Sequence, residues 1–184
     1  VYLDFARAFD KVDHGVLLAR IKSLNIAGKV GIWIHEFLTC RKQFVAVNGE
    51  KSDMSEIISG VPQGTVLGPI LFLILLTSID IGVKSSFASS FADDTKLAGT
   101  IKTVGDTQNF QSDLDSVYKW AEESNMKFNG DKFQLLRYGS DELLKETTSY
   151  TDCNENTIAV TSSAKDLGIL MSSDGSLTES RAKN

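Results

Sequence analysis

Proline, cysteine and histidine each occur only twice among the 184 residues. Pro62 and Pro69 are too few for a proline-rich linker or a polyproline segment. Cys40 and Cys153 lie far apart with no metal-ligand spacing. That excludes a disulfide scaffold and a cysteine zinc site, and it suits a reducing compartment. His14 and His35 leave little room for imidazole-based chemistry. Long apolar runs are also missing. The longest, 66–76, covers 11 residues and is interrupted by Gly68 and Pro69, against the ~20 needed to span a bilayer, so no membrane partner is expected. There is no internal repeat, no low-complexity block, no initiator Met and no signal peptide; the sequence reads as part of something longer.

What is present is a chain of ordinary globular composition. Apolar residues make up 42%, enough for a core in a single domain. The formal net charge is −5, which argues against a strong stand-alone nucleic-acid binder. The imbalance is uneven: residues 1–102 carry 11 Lys/Arg and 10 Asp/Glu, residues 103–184 carry 8 and 14. If Asp4, Asp93 and Asp94 serve a metal, the first part is left basic, so net charge does not decide the partners.

Hydrophobic periodicity predicts the elements. Residues 1–5 form a short strand carrying Asp4. Helices are expected at 15–24 and 29–40, a β-prone stretch at 43–48, a hairpin turn at Asn48-Gly49 and a returning strand at 56–59. A glycine-rich loop at 60–68 leads into a buried helix opened by Pro69. Two short strands, 85–91 and 95–98, flank Asp93-Asp94. An amphipathic helix at 106–123 places Phe110, Leu114, Val117 and Trp120 on one face, and Trp33 and Trp120 are both assigned to the core. A strand at 132–138, a polar loop at 141–161, a last strand at 166–171 and a mobile tail from Ser172 complete an α+β order.

Three features carry chemistry. Asp93-Asp94 sit where a hairpin would turn, and two like charges that close repel unless a cation lies between them; alone they also fit a solvated turn. Asp4 interrupts an apolar strand, an expensive place for a carboxylate unless it faces solvent or is paired. A strand-borne acid and a hairpin-borne pair together suit a two-metal phosphoryl-transfer site, which needs carboxylate oxygens and neither His nor Cys. The third feature is Gly60-Val61-Pro62-Gln63-Gly64. Here glycines permit close backbone approach and Gln63 offers a donor and an acceptor.

At these residues the sequence resembles the reverse transcriptases (RNA-directed DNA polymerases) of non-LTR, LINE-type, Jockey-like retrotransposons. Leu3-Asp4-Phe5-Ala6-Arg7-Ala8-Phe9-Asp10-Lys11-Val12-Asp13-His14 is similar to motif A of that family. Ser59-Gly60-Val61-Pro62-Gln63-Gly64-Thr65-Val66-Leu67-Gly68-Pro69-Ile70-Leu71-Phe72 is similar to motif B, and Phe91-Ala92-Asp93-Asp94-Thr95-Lys96-Leu97 to motif C. Shorter likenesses follow: 125–132 to motif D and Asp166-Leu167-Gly168-Ile169 to motif E. Relatives typically show Asn-Asp after the apolar run of motif B, where this chain has Thr77-Ser78-Ile79-Asp80.

The resemblance implies a polymerase palm, a ferredoxin-like or RRM-like antiparallel sheet backed by helices. Residues 1–140 would be the palm. Residues 141–184 would hold the motif E region and the start of the thumb connection, partly flexible. It implies Asp4, Asp93 and Asp94 as catalytic acids, with Asp4 and Asp93 the principal ligands of Mg²⁺, or of Mn²⁺ in its place, Asp94 beside them and the Phe5 carbonyl a further ligand. Phe9 would lie under the deoxynucleotide sugar, Gly60, Pro62, Gln63 and Gly64 would line the template and nucleotide pocket, and Lys132 would approach the triphosphate. Leu167-Gly168 would lie near the primer grip. One ion would activate the primer 3′-hydroxyl and the other hold the leaving pyrophosphate. Arg7, Lys11, Arg41 and Lys42 are candidates for contacts to backbone phosphates.

The implied partners are an RNA template, a DNA primer and dNTP, with fingers, thumb and endonuclease elsewhere in a parent polyprotein. Cytoplasm and nucleus follow as places from the family alone. Without fingers and most of a thumb, the chain by itself is expected not to polymerise. The main alternative is a non-catalytic palm remnant with at most an RNA-binding or structural role. A two-metal nuclease is a further one, and it leaves Phe9 and the 60–64 loop unexplained.

Overall fold

The computed structural model describes residues 1–139 and 141–179. In chain order it has β1 (Tyr2–Leu3), a 3₁₀ turn (Ala8–Asp10), α1 (His14–Ser23), α2 (Gly28–Leu38), and four two-residue strands: β2 (Lys42–Gln43), β3 (Ala46–Val47), β4 (Glu50–Lys51) and β5 (Ser55–Glu56). Then come α3 (Leu67–Leu76), β6 (Phe87–Phe91), β7 (Asp94–Ala98), α4 (Val104–Glu123), a second 3₁₀ turn (Gly130–Lys132) and β8 (Leu135–Leu136). The order ends with α5 (Glu142–Thr147), β9 (Val160–Thr161), β10 (Ser163–Asp166), β11 (Ile169–Ser172) and β12 (Leu177–Glu179). Mixed helices and small, mostly antiparallel sheets make this an α+β chain. It divides into two compact units.

The first unit contains residues 1–6, 79–121 and 128–184. Its main sheet has the order β1-β7-β6, all antiparallel. Alternation sorts its side chains: Leu3, Thr95 and Leu97 are buried, while the residues between them face the other way. The apolar stripe of α4 buries Phe110, Leu114, Val117 and Trp120, each contributing on the order of 1.5–3 kcal/mol. The same face buries Asp113, whose carboxylate accepts from the amides of Lys84 (2.8 Å) and Ser85 (2.9 Å). Desolvation raises its pKa, but these bonds outweigh burial and leave it below the ordinary carboxylate range. Phe5 stacks on Phe128 at 4.4 Å between centroids and meets Trp120 edge-on at 6.2 Å.

The second unit contains residues 7–78 and 122–127. Helices α1, α2 and α3 pack through Leu17, Ile21, Ile34, Leu38, Leu71, Phe72 and Leu75. Asp13 caps α1, accepting from the Val16 amide at 2.9 Å. Pro69 stands in the first turn of α3, where a missing N–H costs nothing. Asn48 and Gly49, both left-handed (φ 51° and 88°), close the β3–β4 hairpin as the dipeptide predicts.

Several expectations change. Trp33 is not core: it is 57% exposed on the outer side of α2 and stacks on Phe37 at 5.9 Å. The returning strands of the 43–59 hairpin are β4 and β5, earlier than expected. The strand expected at 132–138 shrinks to β8, because Gly130–Lys132 turns as 3₁₀. Residues 141–161, expected as loop, contain α5, capped by Asp141 accepting from the Leu144 amide, and the edge strand β9 beside β8. The tail from Ser172, expected to be mobile, includes β12, paired with β11 from Leu177 to Glu179; residues 180–184 lie outside the described residues.

Candidate active site

The acids of the first unit meet through strand register. Tyr2 pairs with Lys96 and Leu3 with Thr95, so one step further along the antiparallel pair puts Asp4 opposite Asp94. The β6–β7 hairpin turns through Ala92 and Asp93, with Phe91 paired to Asp94 and Ala92 left-handed at φ 53°. An alanine held there is strained, a state that persists where surroundings enforce it. Facing carboxylates destabilise a strand pair. Partial burial, then the negative charges of Asp93, Asp4 and Asp166, hold Asp94 above the ordinary carboxylate range, with Lys165 opposing them.

The face bearing Asp4 and Asp94 opens on a cavity of about 600 Å³, also lined by Lys96, Lys132, Lys165 and Asp166. Lys132 Nζ lies 3.1 Å from Asp4 Oδ2. It is off a hydrogen-bonding direction, so that buried oxygen has no hydrogen-bond partner among the described residues. Lys96 Nζ pairs with Asp166 Oδ2, joining the hairpin β10–β11 to the strand that carries Asp94. The Tyr2 hydroxyl lies 3.4 Å from Met171 Sδ. Burial and the charge of Asp166 push its pKa up to about 12.

This donor set fits a hard divalent cation. Asp4 supplies a buried carboxylate oxygen with no hydrogen bond, and Asp94 a second carboxylate made unfavourable by its neighbours. Lys132 already stands beside Asp4 as a positive charge. No group of three or more His, Cys, Asp or Glu side chains among the described residues is gathered to hold an ion alone. Mg²⁺ needs no such group, since it commonly takes one or two carboxylates plus water and substrate phosphates.

In the second unit the 59–63 loop is stitched to the turn that carries Phe9. The Gly60 amide donates to Val12 O (2.8 Å), the Val61 amide to Phe9 O (2.9 Å), and Ser59 Oγ to Asp10 O (2.9 Å). Gln63 Nε2 donates to Asp10 Oδ1 at 2.9 Å. Gly60 is left-handed at φ 87°, and a Cβ there would stand 2.9 Å from Asp10 O. At Gly68 a Cβ would come within 2.2 Å of Pro62 O, so the chain enters α3 with no room for a side chain. Phe9 is half-buried, its ring 4.5 Å from that of Phe72. Gly64 is exposed and left-handed at φ 76°.

Register thus brings Asp4 and Asp94 together, with Asp93 at the turn beside them and Lys132 on Asp4; hydrogen bonds bring Gly60 and Gln63 to the Phe9–Asp10 turn. Arg41, one of the candidates for contacts to backbone phosphates, donates to Leu38 O (3.1 Å) and Gly60 O (3.0 Å). Lys96, Asp166 and the acceptor Asp10 were not foreseen. Lys96 was within reach of alternation, lying two residues beyond Asp94 on one strand face. Asp166 was marked only as the start of the motif E likeness; its pairing with Lys96, 70 residues away, had no local signal.

Comparison with known proteins identifies the family. Residues 1–169 match the family described as reverse transcriptase (RNA-dependent DNA polymerase). The chain is 32% identical to the RNA-directed DNA polymerase from mobile element jockey of Drosophila melanogaster, over 71% of this chain and 15% of that protein. It is 30% identical to the jockey polymerase of Drosophila funebris, over 96% of this chain and 20% of that protein. The probable RNA-directed DNA polymerase from transposon X-element of Drosophila melanogaster is 27% identical over 93% of this chain and 19% of its own length. The chain therefore spans about a fifth or less of these curated relatives. With the family match running from the strand of Asp4 through the hairpin of Asp93 and Asp94 into β11, the chain belongs to the reverse transcriptase family, on its non-LTR retrotransposon side.

Proposed function

We propose that this chain is the palm of an RNA-directed DNA polymerase, transferring a nucleotide from dNTP to a primer 3′-hydroxyl on an RNA template. The observation that carries this reading is the register that sets Asp4 opposite Asp94, with a carboxylate oxygen left without a hydrogen bond. Asp4, Asp93 and Asp94 would hold the cation, with the Phe5 carbonyl as a further protein oxygen. A divalent cation bound there, Mg²⁺ or Mn²⁺, supplies positive charge to the attacking and leaving oxygens of an in-line displacement. Lys132, released from Asp4, offers its ammonium to the triphosphate. The exposed edge of Phe9 receives the deoxyribose, and Pro62, Gln63 and Gly64 line the base and template side of the pocket. Fingers and thumb of a longer polyprotein, which also carries an endonuclease, complete the grip on the duplex, so the isolated chain is expected not to extend a primer.

The test is primer extension by a full-length parent polymerase carrying Asp93→Ala. The expected loss is about 10²-fold or more; extension near the unaltered rate rejects the assignment. Metal-dependent cleavage of nucleic acid without dNTP supports a nuclease instead.

A further inference from the structure

We propose that Arg41 and His14 are positioning residues that fix the nucleotide pocket by converging on one atom, the carbonyl oxygen of Gly60. Arg41 Nη2 donates to it at 3.0 Å and His14 Nε2 lies 2.8 Å away, so both lone pairs of this carbonyl are engaged. Arg41 Nε also donates to Leu38 O, on the last residue of α2, where a positive charge is favoured by the helix dipole. The guanidinium therefore ties a helix end to the loop with a geometry that a lysine cannot reproduce. From Gly60 the constraint passes to Phe9 by contact. The Gly60 and Val61 amides hold Val12 O and Phe9 O, and Gly60 lies against Asp10 O with no space for a Cβ. The Phe9 ring rests on Phe72 alone among the described aromatic rings. Shifting the Gly60 carbonyl shifts the turn on which Phe9 is carried. This inference rests on the reading of Phe9 as the residue beneath the nucleotide sugar, and it assigns the setting of that residue to two side chains that do not touch the nucleotide.

Two measurements test it. The first needs no polymerase activity: amide hydrogen exchange at Gly60 and Val61 in this chain, with Arg41→Met, Arg41→Lys, His14→Ala and His14→Gln. Loss of a charge-assisted bond is expected to speed exchange about tenfold or more in Arg41→Met, with partial recovery in Arg41→Lys. His14→Gln, which keeps a donor, should stay nearer the unaltered rate than His14→Ala. The His14 pair decides the matter if Arg41→Met fails to fold.

The second measures kcat and KM for dNTP and rNTP in a full-length parent with the same changes. The account expects the preference for dNTP to fall roughly tenfold and KM for dNTP to rise, while kcat changes less. Unchanged exchange at both amides overturns the anchor. Faster exchange with unchanged sugar discrimination overturns its role in the pocket. A parent that incorporates no nucleotide at all rejects the polymerase reading, and the anchor is then judged on exchange alone.

Discussion

Lys132 is the residue that most constrains the behaviour of the acids. Its ammonium sits 3.1 Å from Asp4 Oδ2, where an incoming cation would compete with it. The pair is partly exposed, 63% and 31% for the two side chains, and such pairs contribute at most about 1 kcal/mol. Lys132→Met should therefore tighten Mn²⁺ binding to this chain by about two- to fivefold, read by titration of the electron-paramagnetic signal of free Mn²⁺. An unchanged or weaker affinity would mean that Lys132 does not compete for this carboxylate. In the full-length polymerase the same change should slow extension, because the ammonium offered to the triphosphate is gone.

At the scale of elements, the hairpin β10–β11 and helix α4 each make a prediction. The hairpin turns through Leu167 and Gly168, both left-handed at φ 49° and 88°. Type I′ turns favour Asn, Asp and Gly at these positions. Leu167 instead keeps a strained backbone and a side chain 55% exposed at the rim of the cavity. Leu167→Asn should raise stability by about 0.5–1 kcal/mol, measured as a higher urea midpoint, and should weaken primer binding in a full-length parent. A lower midpoint would remove the case for strain retained for contact. On α4, Asp113→Ala strands the amides of Lys84 and Ser85. A loss of about 2–4 kcal/mol is expected in denaturant unfolding, and a loss under 1 kcal/mol would mean that water replaces the carboxylate.

These elements also show what the sequence could convey. The stripe of α4 and the turn at Asn48-Gly49 were legible because period and dipeptide are local. The Asp93-Asp94 hairpin was legible for the same reason. Asp113 was hidden, since an acid inside a helix reads as solvent-facing until the loop before β6 arrives to be capped by it. Trp33 misled in the opposite sense: its spacing matches a core stripe, but α2 turns that side outward.

For the whole molecule, the order of motifs was readable from end to end, and the division into two units was not. Each unit is assembled from segments distant in sequence: 1–6 joins 79–121 and 128–184, while 122–127 joins 7–78. The contact of Lys96 with Asp166 joins two of those segments and leaves no periodic trace. Net charge was equally uninformative, because the site mixes Asp4, Asp94 and Asp166 with Lys96, Lys132 and Lys165 around one cavity.

On the proposed reading, Asp4 and the Asp93-Asp94 hairpin hold a divalent cation. The most direct measurement is paramagnetic broadening of the amide resonances of this chain by substoichiometric Mn²⁺. The account predicts broadening centred on residues 3–5 and 91–95, reversed by excess Mg²⁺ and abolished by Asp4→Asn combined with Asp94→Asn. Broadening centred elsewhere, or surviving that double change, would contradict it.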